Sequence, residues 1–264
     1  MNVASMASPQ SGTATGGDIL VAKGLTKIFG GFAAVKDVDL AVRRGAIHAL
    51  IGPNGAGKTT CFNLLTKTLS PTKGTIYFDG HDISSLRSAD VARRGLVRSF
   101  QISATFPHLT ARENVRVALQ SKYGKAFHFW RSLEAVSPLN NRADELLDEV
   151  GLAANRHTLA AELSYGKKRA LEIATTLALK PILMLLDEPT AGMGHEDVEP
   201  ITKLIKRAAE GRTVLLVEHN LSVVSTLCDR ITVLQHGQLL AEGTYSDISS
   251  NPDVINAYLG GVDE

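Results

Sequence analysis

Eight residues, Gly52-Pro53-Asn54-Gly55-Ala56-Gly57-Lys58-Thr59, constrain this chain more than any other feature. They fit the pattern G-x-x-x-x-G-K-[ST], and their flanks matter as much as the match. Ala46 to Ile51 is a dense apolar run that suits a strand buried on both faces, and a helix is expected from Gly57 through Thr66. In such a strand–loop–helix the glycines let backbone N–H groups converge on phosphate oxygens, and the helix start adds partial positive charge. The pattern places Lys58 on the β- and γ-phosphates and the Thr59 hydroxyl on Mg²⁺, with Thr60 extending the cradle.

The flanking pattern is that of a layered α/β chain. Ile19-Leu20-Val21, the alternating Val38, Leu40 and Val42, and Thr75 to Phe78 between glycines read as strands. From about Thr110 to Leu179 the chain reads as mostly helical. There Asn140-Asn141 leads into an amphipathic stretch (Ala143, Leu146, Leu147, Val150) closed by Gly151. Strand and helix then alternate again: Ile182 to Leu186, Glu196 to Ala209, Val214 to Val217, Ile231 to Leu234.

Two further segments carry chemistry. The apolar run Leu183–Leu186 ends in Asp187-Glu188-Pro189, which puts carboxylates at the C-terminal end of a buried strand, where ligands bind in such sheets. Asp187 suits a magnesium-associated role, and Glu188 can polarise an attacking water as general base. Leu163-Ser164-Tyr165-Gly166 opens an apolar helix with Ser164 as its natural N-cap. Lys167, Lys168 and Arg169 then occupy the first turn, where the helix dipole disfavours cations. An anion held at that helix end would relieve the conflict.

Composition excludes more than it assigns. Lys plus Arg, at 28, almost balances Asp plus Glu, at 27, so no basic field points to nucleic acid. The two cysteines, Cys61 and Cys228, have no metal-ligand spacing and read as buried thiols. The longest aliphatic run, Ile182 to Leu186, is far short of the roughly 18 residues a membrane helix needs. Residues 1–18 are expected to be a disordered tail without the marks of a secretory signal.

Taken in order, these motifs resemble the ATP-binding cassette (ABC) family of transport ATPases. Gly52–Thr60 matches the phosphate loop, and Gln101, 43 residues after Lys58, matches the glutamine of the Q-loop. Leu163–Lys167 matches the signature, Asp187-Glu188 the magnesium aspartate and catalytic glutamate, and His219, 32 residues after Asp187, the switch histidine. Phe29, 29 residues before Lys58, matches the aromatic that stacks on adenine. The resemblance implies an α/β P-loop NTPase of the ABC type: a mixed sheet core, an antiparallel β subdomain and an inserted helical subdomain. It implies one domain over 19–262, with the helical insertion at approximately 102–179. The implied nucleotide contacts are Phe29, Gly52, Pro53, Asn54, Gly55, Ala56, Gly57, Lys58, Thr59 and Thr60, with Ser164 and Gly166 capping the nucleotide of a second cassette. Glu188, His219, Lys58 and Gln101 are the implied catalytic groups, and Thr59, Gln101 and Asp187 the implied Mg²⁺ associates.

Four positions depart from the family pattern. Tyr165 and Lys167 stand where the signature has Gly and Gln, Gly194 stands where most members have an aspartate, and Phe29 replaces a more usual tyrosine. Other segments resemble the importers of branched-chain amino acids, amides and urea: Arg98-Ser99-Phe100-Gln101, Tyr165-Gly166, Ala191-Gly192-Met193, Val217-Glu218-His219-Asn220 and Ala257-Tyr258-Leu259-Gly260. An aromatic cluster, Tyr123, Phe127, Phe129 and Trp130, falls in a stretch at roughly 121–140 and reads as a docking surface for a membrane subunit or lipid headgroups, or else as the small core of that insertion.

The expectation is therefore an ATP- and Mg²⁺-dependent ATPase subunit of an importer, peripheral on the cytoplasmic face of the membrane. Its implied partners are permease subunits, a second cassette and, indirectly, a solute-binding protein, with no nucleic acid. A lipid-exporter ATPase is the nearest rival reading, and a soluble ABC ATPase acting on ribosomes or DNA is the rival from another class.

Overall fold

The computed structural model describes residues 17–99, 105–122 and 133–259. Two sheets meet over the strand that was expected to be buried on both faces. β1 (Asp18–Phe29), β2 (Phe32–Arg43), β4 (Lys73–Phe78) and the two-residue β5 (His81–Asp82) form an antiparallel sheet in the order β2-β1-β4-β5. The second sheet runs β10-β9-β3-β8-β7-β6. Its members are β3 (Ile47–Ile51), β6 (Leu96–Arg98), β7 (Leu183–Asp187), β8 (Thr213–Val217), β9 (Arg230–Gln235) and β10 (Gln238–Gly243). All its pairings are parallel except the β9–β10 hairpin at the edge.

β3 is buried at all five positions because each face meets a different core. Ile47, Ala49 and Ile51 belong to a core shared with the helices, while Leu50 points into a core beneath the antiparallel sheet with Leu20, Leu25, Phe62 and Ile76. This two-sided burial is why the segment reads as a continuous apolar run. The helix that follows the loop, α1 (Lys58–Leu65), buries Cys61, Phe62, Leu64 and Leu65 in the second core. α2 (Ser88–Arg93) then leads into β6.

Three helices, α3 (Ala111–Lys122), α4 (Leu133–Glu149) and α5 (Tyr165–Ala178), pack on one another through Val115, Leu119, Ala143, Leu146, Leu147, Leu171 and Ala174. Arg112 on α3 makes two 2.7 Å bonds to Asp144 on α4, which fixes their register. α6 (His195–Ala208) shows the helix logic plainly. Glu196 and Asp197 sit in its first turn, Lys206 and Arg207 in its last, and Ile201, Leu204, Ile205 and Ala208 face the core. α7 (Leu221–Leu227), α8 (Tyr245–Ser249) and α9 (Pro252–Leu259) complete the chain, and α8 carries a Thr244–Asp247 capping box. Among the described residues no helix is long and apolar enough to cross a membrane.

Two expectations need correcting. Asn140-Asn141 does not start a helix: α4 begins at Leu133 and carries Pro138 within it. The Asn140 side chain accepts a bond from Arg116 at 3.3 Å instead of capping, so tertiary contact decides its place. Residues 17 and 18, expected to lie in the N-terminal tail, take part in the described fold. Gly17 accepts a 2.7 Å backbone bond from Arg44, and Asp18 opens β1. The rest of that tail, Gln101 and the four clustered aromatics lie outside the described residues.

His48 in β3 gives the fold a pH dependence. Its ring Nε2 lies 2.8 Å from the Thr232 hydroxyl, and burial lowers its pKa from 6.5 to about 4, helped by Arg230 and opposed by Glu242. The unfolded chain therefore binds a proton below pH 6.5 that the folded chain refuses until about pH 4, so acid favours unfolding. Unfolding free energy should fall between those pH values by up to about 3 kcal/mol on this group's account. Urea titrations at several pH values check this, and His48→Gln should flatten that part of the curve.

Candidate functional site

The loop after β3 folds as its glycines require. Gly52 has φ +150° and lies so close to β9 that a Cβ would stand 2.2 Å from the Leu234 carbonyl oxygen. Gly57, the N-cap of α1 at φ +96°, would put a Cβ 2.6 Å from the Ala34 carbonyl oxygen. Neither position admits another residue without moving backbone. Lys58 curls back into its own loop, its Nζ donating to the carbonyls of Gly52 at 2.6 Å and Pro53 at 2.9 Å. Burial lowers the Lys58 pKa, and the nearby Glu188 charge opposes the shift.

A cleft of about 320 Å³ opens above this loop, lined by Phe32, Ala34, residues 54–60 and Glu188. The loop and Glu188 are thus brought together although 128 residues apart in number. Asn54, Gly55, Ala56, Gly57, Lys58, Thr59 and Thr60 face the cleft directly, while Gly52 and Pro53 contribute the carbonyls that hold Lys58. The aromatic wall is Phe32, which is 70% exposed. Phe29 is its cross-strand partner at the hairpin tip, also exposed, with the Lys27 ammonium 5.1 Å from its ring centroid.

Glu188 sits in a strained backbone conformation, φ +46°, at the end of β7. Its N–H donates to Val217 at 2.9 Å and its carbonyl accepts from Ala191 at 3.0 Å. Such left-handed non-glycine residues cluster at functional sites. Asp187 is turned away from the cleft and paired with Arg98, whose other amino group donates to Asn63 at 2.6 Å and whose plane lies over Phe62. His219 is exposed at the end of β8 and does not line the cleft.

Ser164 and Gly166 also stand apart from that cleft, at the start of α5. Ser164 is the N-cap residue as expected, yet its hydroxyl makes no capping bond. The basic first turn differs from its sequence reading. Arg169 is buried, pairs with Glu172 at 2.9 Å, and reaches towards the Glu188 carbonyl at 3.5 Å, so only the two lysines remain available to an anion. Tyr165 donates to the Ala191 carbonyl at 2.6 Å, which ties the helix start to the segment after Glu188.

A strand, glycine loop and helix facing a strained glutamate across a cleft is a nucleoside-triphosphate arrangement, and comparison with known proteins narrows it. A family model described as "ABC transporter" matches residues 35–191. The chain belongs to the ABC transporter family. A second model, "Branched-chain amino acid ATP-binding cassette transporter", matches residues 238–264 of the cassette. The cassette is 40% identical over 252 residues to the high-affinity branched-chain amino acid transport ATP-binding protein BraF of Pseudomonas aeruginosa, covering 92% of this chain and 98% of that one. Among solved structures it resembles the ADP conformation of an ATP-binding cassette of an ABC transporter, with 30% identity, a TM-score of 0.80, and coverage of 92% and 99%. It also resembles a dimeric post-hydrolysis cassette bound to ADP and Pi, with 29% identity, a TM-score of 0.73, and coverage of 86% and 98%.

Three neighbours of the site were not singled out from sequence. Phe32 was hidden by Phe29, which matched the spacing. Arg98 stood in a quoted run but carried no role. Glu218 also stood in a quoted run without a role, and only burial reveals it. Cys61 and Cys228 are inert, since burial pushes both thiols up to about 12.

The two glycines should behave unlike Gly55, where a Cβ would meet nothing within 4 Å. Gly52→Ala should cost more than about 2 kcal/mol and disrupt the loop, whereas Gly55→Ala should cost about 1 kcal/mol. Urea unfolding of both variants tests the contrast.

Proposed function

We propose that this cassette is the ATP-hydrolysing subunit of a membrane importer for branched-chain or other hydrophobic amino acids, amides or urea. The observation that carries the reading is Glu188 facing the glycine loop across one cleft, in a chain whose relatives are branched-chain amino acid transport ATP-binding proteins. Residues 19–262 form one cassette, with approximately 102–179 as its helical arm.

In this reading Lys58 leaves the Gly52 and Pro53 carbonyls for the β- and γ-phosphates, and the N–H groups of residues 55–60 hold the phosphate oxygens. Phe29 and Phe32 supply apolar faces for the base. Glu188 accepts the proton of a water attacking the γ-phosphorus, the β–γ bridging P–O bond breaks, and ADP and phosphate leave. His219 and Gln101 hold the γ-phosphate and the water. Mg²⁺ keeps water and phosphate oxygens and takes few protein ligands, which the Thr59 hydroxyl in the cleft and the Asp187 carboxylate at the end of β7 fit. Thr59, Asp187 and Gln101 would hold it. When bound it would neutralise phosphate charge, and Asp187 must then share its carboxylate between Arg98 and the ion.

Ser164 and Gly166 lie outside the cleft, so the reading assigns them to the nucleotide of a second cassette closing head to tail. Lys167 and Lys168 at that helix start then meet the anion they require. A groove of about 190 Å³ between α3 and α5 sets apolar side chains (Phe106, Val117, Ala118, Leu179) among polar ones that include Arg98, Asn114 and Glu172, and Phe106 is half exposed. In this reading the groove docks a permease subunit, and the cassette works peripherally on the cytoplasmic face of a membrane. A solute-binding protein outside is an indirect partner.

Two variants test the chemistry. Lys58→Ala should lose ATP binding by at least tenfold in isothermal titration, and unchanged affinity would remove Lys58 from the phosphate site. Glu188→Gln should bind ATP while turnover falls by about 10²–10⁴-fold. Pull-down of that tagged variant from native membranes with ATP should recover two integral-membrane proteins and a second cassette. Recovery with ribosomes, or alone, would overturn the importer reading.

A further inference from the structure

Glu218 is fully buried, charged and without a cationic partner among the described ion pairs. Its compensation is four donors from two loops. Oε1 accepts from the Thr190 N–H at 3.0 Å and the Thr190 hydroxyl at 2.6 Å. Oε2 accepts from the N–H groups of His219 at 3.0 Å and Asn220 at 3.2 Å. A buried carboxylate is tolerated only when its lone pairs are met in this way.

The placement is specific. β7 and β8 pair in parallel as far as Asp187 and Val217, and the Glu188 N–H adds one more bond to the Val217 carbonyl. There the ladder ends and the two chains separate, one carrying Glu188 to Thr190, the other His219 and Asn220. Glu218 bridges them just beyond that point, with one oxygen for each loop. A purely structural requirement at this depth would be met by an apolar residue at lower desolvation cost. A carboxylate that spends both oxygens on backbone N–H groups instead sets the spacing of the two loops.

We propose that Glu218 is a positioning residue that holds the Glu188 loop and the His219 loop in one fixed relation beside the phosphate cleft. This rests on the ATPase reading above. The amide of glutamine has nearly the same shape but presents NH₂ on one side. Whichever way it turns, it faces two donors of one loop and releases that loop from the other. Loss of the clasp changes where Glu188 and His219 stand, while residues 54–60 of the glycine loop, which carry most of the nucleotide's binding, keep their places.

The test is steady-state ATP hydrolysis by the full chain, with wild type, Glu188→Gln, Glu218→Gln and Thr190→Val in parallel. Expected for Glu218→Gln is at least a tenfold fall in kcat with KM for ATP within about twofold of wild type. Thr190→Val, which removes only one hydroxyl from the clasp, should lower kcat about threefold. In the double variant of Glu218→Gln and Thr190→Val, the loss should be smaller than the product of the two. Wild-type kcat in both single variants overturns the proposal, as does a KM rise with kcat intact. If Glu218→Gln does not fold, Thr190→Val decides alone: an unchanged kcat refutes the clasp. A wild-type chain without turnover, by contrast, overturns the ATPase reading itself.

Discussion

The double-sided burial of β3 is the constraint on which the rest of the structure depends. Ile47, Ala49 and Ile51 lock into the helical core and Leu50 into the core under the antiparallel sheet, so the strand cannot slide against either layer. Its C-terminal end therefore delivers Gly52 to one place, against the Leu234 carbonyl of β9. Only a residue without a Cβ fits there, and Gly57, against Ala34, fixes the other end of the loop. A phosphate cradle of backbone N–H groups gains from rigidity because the donors need no reorganisation when an anion arrives. Here two cores and two close backbone approaches supply it.

That rigidity explains what was legible in the sequence. The strand–loop–helix is local, and its glycines, its lysine and its flanking apolar runs are all visible in one dimension. The alternation of apolar runs with helices shows a layered α/β core, although the order β9-β3-β8-β7 emerges only in space, and Glu188 was identifiable because a carboxylate after such a run must emerge at the loop edge of the sheet. What was not legible depends on pairs that meet only in space. Arg169 reads as one of three exposed cations, yet Glu172, one turn on, draws it into the interior. Asn140-Asn141 reads as a helix start, yet packing against α3 carries α4 back through Pro138 to Leu133. Phe29 and Phe32 cannot be ranked by spacing alone, since the hairpin sets them opposite each other.

The charges of the site are matched internally. Lys58 is satisfied by loop carbonyls and Asp187 by Arg98. Each would otherwise be a partly buried charge without a partner, which is expensive. In the proposed function Lys58 exchanges its carbonyls for phosphate oxygens, and the phosphate charge makes that exchange favourable. The same logic gives Arg98 a definite place: its guanidinium joins Asp187 to Asn63 on α1, so the carboxylate beside the sheet and the helix after the phosphate loop share one cation.

The segment from Glu188 to Ala191 is where these separate parts converge. The β8 side holds it through the Val217 carbonyl and Glu218, and the α5 side holds it through Tyr165 on Ala191 and Arg169 towards Glu188. α5 in turn packs on α3 and α4. A displacement of that helical layer relative to the sheet must therefore stretch the Tyr165 bond or carry residues 188–191 with it. Glu188 is held at φ +46°, a conformation that persists only while its surroundings enforce it. Weakening either set of bonds lets the backbone relax and moves the carboxylate from the cleft. Tyr165, a departure from the family signature, thus has a physical consequence that the signature pattern does not convey. It gives the start of α5 a direct hydrogen bond to the loop that carries Glu188.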